Sequence, residues 1–127
     1  MANESGTFLG KWIIAEAIPG AVLLHLQALV TVAPVRKVNG RVRMTQATNP
    51  PLDVDIDVSG KFCNLTIADG KRHIISLQNV PSPLFGAPSL DIVMVMENDW
   101  KTGRACYSSQ VGSGHFEACD VPVKVEE

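Results

Sequence analysis

Two charged ladders hold the residues whose types and spacing could do chemistry. Arg41 and Arg43 stand two apart, and so do Asp53, Asp55 and Asp57. Side chains two apart on an extended strand share one face, so each set presents a row of like charge. A guanidinium row suits carboxylates, phosphates or sugar hydroxyls; a carboxylate row suits cations. Asp-x-Asp-x-Asp also opens an EF-hand calcium loop. That loop requires glycine at its sixth position and glutamate at its twelfth, where this chain carries Val58 and Asn64. Alternate carboxylates on a strand lie about 6.5–7 Å apart, too far to hold one ion unaided. The rows therefore read as a solvent-facing salt-bridge ladder, with a charged binding face for an anionic or glycan ligand as the functional alternative. No metal or other cofactor is expected.

Nucleophilic catalysis needs a thiol or hydroxyl beside a base, and the chain offers little of it. The cysteines are Cys63, Cys106 and Cys119. If Gly112-Ser113 is a two-residue hairpin loop, Cys106 faces Cys119 in a non-hydrogen-bonded pair, where Cα atoms come to about 4.5 Å. That is the short end of disulfide spacing. The pair can bridge on oxidation; in a reducing compartment it stays as two neighbouring thiols, with Cys63 left over. His115 shares a face with Cys119 but sits about 13 Å along the strand. His25 and His73 are isolated in strand patterns, and no Gly-x-Ser-x-Gly, His-Glu-x-x-His, Cys-x-x-Cys or phosphate-loop pattern occurs. The expectation is a protein that is not an enzyme. Among the aromatics, Phe8 and Trp12 share a face near the start. Trp100 follows Asn98-Asp99 in a turn and reads as the best exposed contact, with Phe85 in a proline-rich loop second, since exposed loop aromatics often anchor ligands.

The elements that must position these residues read as β throughout. Leu52 to Val58 alternates apolar and acidic without a fault, the mark of a strand with one buried face. Asn39-Gly40 between Val35–Val38 and Arg41–Met44 is a strong hairpin signal. It would pair Val38 with Arg41, Lys37 with Val42 and Arg36 with Arg43, placing Val35, Val42 and Met44 on one face. If the next turn returns the chain alongside, Arg43 lands near Asp55 and Arg41 near Asp57, with Val42, Met44, Val54 and Ile56 buried behind. Turn signals recur at Pro19-Gly20, Asn49-Pro50-Pro51, Ser59-Gly60, Asp69-Gly70, Pro81-Ser82-Pro83, Asn98-Asp99 and Gly112-Ser113-Gly114. Strands are expected near 7–16, 22–33, 35–38 with 41–47, 52–58, 61–67, 72–78, 90–97, 103–111 and 114–125. Residues 22–33 also fit a helical face, but their β-branched end and Pro34 favour a strand. Short loops make successive strands antiparallel. The fold class is all-β: an antiparallel meander of about eight to nine strands, closed into a barrel or folded as a two-layer sandwich.

The chain has 127 residues, 46% of them hydrophobic and 19% charged, which suits one globular domain. A formal net charge of −2 with mixed signs lacks the basic footprint of a nucleic-acid binder. The apolar run from Ile18 to Val35 is broken by Pro19, Gly20, His25, Gln27 and Thr31, too polar for a membrane span. It also starts late for a signal peptide and follows Glu4, Lys11 and Glu16. The expected location is the cytoplasm, or outside it by a route without an N-terminal signal. Asn3-Glu4-Ser5 and Asn64-Leu65-Thr66 match the glycosylation pattern and read as chance matches. Open β edges invite pairing, which would make the chain a homo-oligomer.

Met44–Val54, together with Asp99-Trp100-Lys101-Thr102-Gly103 followed by Tyr107, resembles a small bacterial family known only as a domain of unknown function. That resemblance covers most of the chain and implies a bacterial source and a single domain; it carries no catalytic residues. Gly10-Lys11-Trp12 and Asp99-Trp100-Lys101 resemble, more weakly, the calycin group of lipocalin-like and avidin-like barrels, which implies an eight-stranded meander. Avidin-like sites are lined by several tryptophans, and this chain has two. The functional expectation is a binding or interaction module recognising a glycan, a lipid head group or a protein surface, with Trp12, Trp100, Arg41, Arg43 and Phe85 as contacts. The alternatives are a calycin-like carrier of a small apolar ligand, and a hydrolase-type enzyme without a recognisable motif.

Overall fold

A computed structural model of the chain describes residues 6–33, 35–48, 51–82 and 85–126. Eight strands follow one another: β1 Gly6–Ile14, β2 Leu23–Ala33, β3 Lys37–Gln46, β4 Leu52–Ile67, β5 Gly70–Asn79, β6 Ser89–Glu97, β7 Thr102–Val111 and β8 Gly114–Val125. Each pairs antiparallel with the next, and β8 returns to β1, closing a barrel. A sandwich is thereby excluded. Period 2 explains the closure: alternate residues of every strand turn inward, and a sheet rolled on itself buries one face completely. Residues 23–33 are a strand, with Leu24, Leu26, Ala28 and Val30 buried and the pattern-breaking Leu29 left 47% exposed.

The middle of the chain pairs in the expected register by a different route. Arg41 stands opposite Asp57, Val42 opposite Ile56, Arg43 opposite Asp55 and Met44 opposite Val54. Asn39-Gly40, however, is not a turn: β3 runs straight through it, and Gly40 pairs with Ala28 on one side and Val58 on the other. Arg36 and Val35 therefore lie outside β3, Arg36 does not face Arg43, and Val38 takes the inner place expected of Val35. Ser59-Gly60 likewise lies inside β4, which unites the two strands expected at 52–58 and 61–67. Both glycines serve close approach. A Cβ on Gly40 would come within 2.4 Å of the Gln27 carbonyl oxygen, and one on Gly60 within 1.8 Å of the Ser76 carbonyl oxygen. A small barrel needs such points where a strand bends over its neighbour. The expected turn at Asn49-Pro50, the Pro83 position and the Asn3 sequon fall outside the described residues.

Side chains fill the barrel. Leu24, Leu26, Met44, Ile75, Leu77, Leu90, Ile92, Met94 and Met96 are among its fully buried members, packed in one cluster with Trp12, Ile14, Phe62 and Tyr107. No helix among the described residues is long and apolar enough to cross a membrane.

Candidate functional site on the outer wall

The outward residues of β1 to β4 line up across strands. One row reads Lys11, Gln27, Arg41, Asp57; the next reads Ile13, His25, Arg43, Asp55. Opposite charges thus meet where β3 joins β4. Arg41 Nε donates to Asp57 Oδ1 at 3.0 Å. Arg43 passes over its direct partner Asp55 and grips Asp53 with two bonds, Nε to Oδ1 at 2.9 Å and Nη2 to Oδ2 at 2.7 Å. The diagonal choice follows from side-chain length: a guanidinium reaches a carboxylate two residues along and binds it as a fork. These bonds hold the Arg43 guanidinium above its ordinary pKa and the Asp53 carboxyl below its own. Both pairs are open to water, so they order the side chains more than they stabilise the fold.

Beside this ladder lies a shallow hollow of about 500 Å³, lined by Lys11, His25, Leu26, Gln27, Arg41, Arg43, Thr45, Asp55 and Glu126. His25 Nδ1 sits 3.4 Å from the Glu126 carboxylate. Lys11 and Asp55 have no ion-pair partner among the described residues. The hollow therefore offers a free ammonium, a free carboxylate, an amide and a hydroxyl around two fixed guanidinium groups. Lys11, His25, Gln27 and Glu126 were missed by sequence reasoning. The outward phase of β1 and β2 points to the first three; Glu126 comes in only through barrel closure, which pairs Val125 with Trp12.

The tryptophans are not surface contacts. Trp12 is 3% exposed, and its Nε1 donates to the Trp100 carbonyl oxygen at 2.7 Å. Trp100 is half-buried and plugs one barrel mouth, against Phe8, Trp12, Phe62 and His73 at centroid distances of 5.4, 6.2, 5.2 and 4.2 Å. The exposed-turn reading fails because the β6–β7 turn folds over the mouth. Trp100 N donates to the Glu97 carbonyl at 2.9 Å, and Trp100 takes φ 64°. His73, 8% exposed, stacks on its indole. His73 Nδ1 lies 2.7 Å from Asn64 Oδ1 and Nε2 lies 3.1 Å from the Asn98 carbonyl oxygen. A neutral ring satisfies both only if the Asn64 amide is turned to donate to Nδ1. Desolvation pulls the His73 pKa below its usual value, against the Asn98 bond that raises it.

Phe85 stands fully exposed in the loop after β5, far in sequence from the hollow and absent from its lining. Cys106 and Cys119 are joined by a disulfide across β7 and β8, with Cα atoms 3.9 Å apart. The ladder slips one residue there: Tyr107 faces Ala118 but Ala105 faces Val121. Cys119 and Asp120 together oppose Cys106, and Asp120 takes φ 58° in this β-bulge. Arg104 Nε donates to the Asp120 carboxylate at 2.8 Å beside it. Cys63 is a free, exposed thiol. No group of three metal-type ligands converges among the described residues.

The model of the family described as Domain of unknown function (DUF1842) matches residues 5–114. The chain belongs to that family. No curated protein matches it.

Proposed function

We propose that this member of a family of unknown function is a non-enzymatic recognition module that binds a hydroxyl-rich ligand, a glycan, on the outer wall of β1–β4. One observation carries the reading. The barrel interior is occupied by its own side chains, whereas the outer hollow gathers donors and acceptors of both signs around Arg41 and Arg43, whose guanidinium groups are held in place by their ion pairs. A carrier of a small apolar ligand needs a lumen, and Leu24, Met44, Ile75 and Met96 fill this one.

The sign balance favours a glycan over an anionic head group. Lys11, Arg41 and Arg43 are set among Asp53, Asp55, Asp57 and Glu126. A phosphate placed there meets four carboxylates against three cations. A sugar hydroxyl both donates and accepts, so it uses both. The non-enzymatic reading is supported by the same chemistry: the hollow holds no cysteine or serine, and His25 contacts Glu126 rather than the hydroxyl of Thr45, which stands opposite Leu23.

A glycan array probed with the whole chain tests the proposal, with Lys11→Ala/Arg41→Ala as the control. Capture of a defined oligosaccharide set by the native chain, weakened about tenfold or more in the double variant, supports it. No glycan bound at millimolar concentration, or binding indifferent to both substitutions, overturns it. Binding only to anionic vesicles also overturns it.

A further inference from the structure

The barrel closes through a short seam. β1 and β8 share three residue pairs, Trp12 with Val125, Ile13 with Lys124 and Ile14 with Val123. Two backbone bonds extend it, Ala15 N to Pro122 O and Glu126 N to Lys11 O. Beyond Lys11 toward the N-terminus, β1 pairs with β2 on one side and with no described strand on the other. Since Lys11 O points to the β8 side, so do the N–H and C=O of Thr7 and Leu9, which alternate in step with it. Among the described residues those backbone groups form an open edge.

Proteins blunt open edges with charge, proline or a bulge. The β8 stretch left open at the other end of the seam carries His115, Glu117 and Asp120 and a bulge at Cys119–Asp120. The open stretch of β4 at Leu52–Asp57 carries three aspartates. Thr7 to Gly10 of β1 carries no charge and no proline, and the one register shift of β1 against β2 lies just before it, between Gly6 and Thr7, with the extra residue, Val32, on β2. Its outward Leu9 is 60% exposed and pairs with Leu29, 47% exposed, so the edge continues into an apolar strip on the wall.

We propose that the β1 edge docks a second copy of this chain, β1 against β1, antiparallel about a two-fold axis at Phe8. Identical antiparallel edges are self-complementary under such an axis. Thr7 then opposes Leu9 of the second copy and the reverse, giving about four backbone hydrogen bonds. Phe8 meets its own equivalent in the closely spaced pair between them. Leu9 and Leu29 of both copies merge into one strip. The absence of charge along Thr7–Gly10 selects an uncharged partner edge, which the chain itself supplies.

Sedimentation equilibrium of the full chain tests this, with Leu9→Lys and Leu9→Pro as edge variants and Leu65→Lys as a control on the protruding β4–β5 hairpin. Leu9→Pro removes an N–H that faces away from β2, a position where proline is tolerated. The expected result is a species of twice 13.7 kDa with a dissociation constant of about 10–100 µM, fitting a small interface. It persists in Leu65→Lys and is lost in both Leu9 variants, which keep the native far-UV and tryptophan spectra. Amide exchange at Thr7 and Leu9 slows with protein concentration in the native chain. A native chain monomeric at millimolar concentration overturns the proposal. So does a dimer that survives both Leu9 variants, or one abolished by Leu65→Lys.

Discussion

Trp100 tests the account of the barrel mouth most sharply, because its backbone and its ring pull in opposite directions. Its φ of 64° lies where an L side chain is disfavoured by about 1–2 kcal/mol. The residue follows a turn closed by the bond from Trp100 N to Glu97 O, a position usually filled by glycine or asparagine. The ring offsets that strain by packing on Phe8, Trp12, Phe62 and His73. Trp100→Ala removes the ring and keeps the strain; scaled down from the 3–5 kcal/mol of a fully buried aromatic, the loss is about 2–3 kcal/mol. Trp100→Gly removes both. The relief is partly offset by the about 0.5–1 kcal/mol that glycine's extra unfolded-state freedom costs, so glycine comes out about 0.5–1 kcal/mol more stable than alanine. Urea unfolding at constant m reads the difference as a midpoint shift. The control is exposed Ser76 in β5, where alanine should beat glycine. Alanine as stable as glycine at position 100, or better, refutes the claim that the fold imposes the left-handed backbone there.

Four further outcomes follow from the same geometry. His73 is held neutral by burial, so its folded pKa lies below its unfolded one; the unfolded chain binds the extra proton, and stability present above about pH 6.5 falls as the pH drops through that value. Unfolding midpoints between pH 8 and 5 should show this slope in the native chain and a flatter one in His73→Gln. Gly60→Ala should cost about 2–4 kcal/mol in urea unfolding, since its Cβ would strike the Ser76 carbonyl, whereas Gly6→Ala meets no atom within 4 Å and pays only for φ. Reduction of the Cys106–Cys119 bridge, 13 residues apart in sequence, should lower stability by up to about 3 kcal/mol by loop entropy; Cys63→Ser, at an exposed thiol, should leave the midpoint unchanged. Arg43→Ala should shift the unfolding midpoint little in 0.5 M salt, because its partner Asp53 is open to water.

Legibility differed by level. Strand direction and the inward phase were readable because period 2 is written residue by residue, as in Leu24 to Val30 and Leu52 to Val58; the division into strands was less so, because Gly40 and Gly60 read as turns inside β3 and β4. The mouth was not readable. Trp100 looks like a loop aromatic in sequence, and only the fold of the turn over Phe62 and His73 makes it a plug. Nor was the hollow: Arg41 and Arg43 were identifiable by type, but Lys11 and His25 join them only through the β1–β2–β3 register, and Glu126 only through closure of the barrel. Phe85 was read correctly as exposed, yet the fold sets it apart from that hollow.

The register of β3 against β4 came out right although the hairpin invoked beside it does not exist, and the reason is local. A strand's register is set by the turn that joins it to its neighbour. The β3–β4 connection lies between Gln46 and Leu52, which pair with each other, so the pairs Met44–Val54, Arg43–Asp55 and Arg41–Asp57 follow from that turn alone. What Asn39-Gly40 does upstream cannot shift them. The dipeptide misleads because glycine has two uses in a sheet, to turn the chain or to let another strand come close. Contact geometry tells them apart here. Neither Gly40 nor Gly60 has positive φ, and a Cβ at either would strike the carbonyl oxygen of Gln27 or Ser76. In a chain whose eight strands must close around a filled core, that second use is the one the barrel demands.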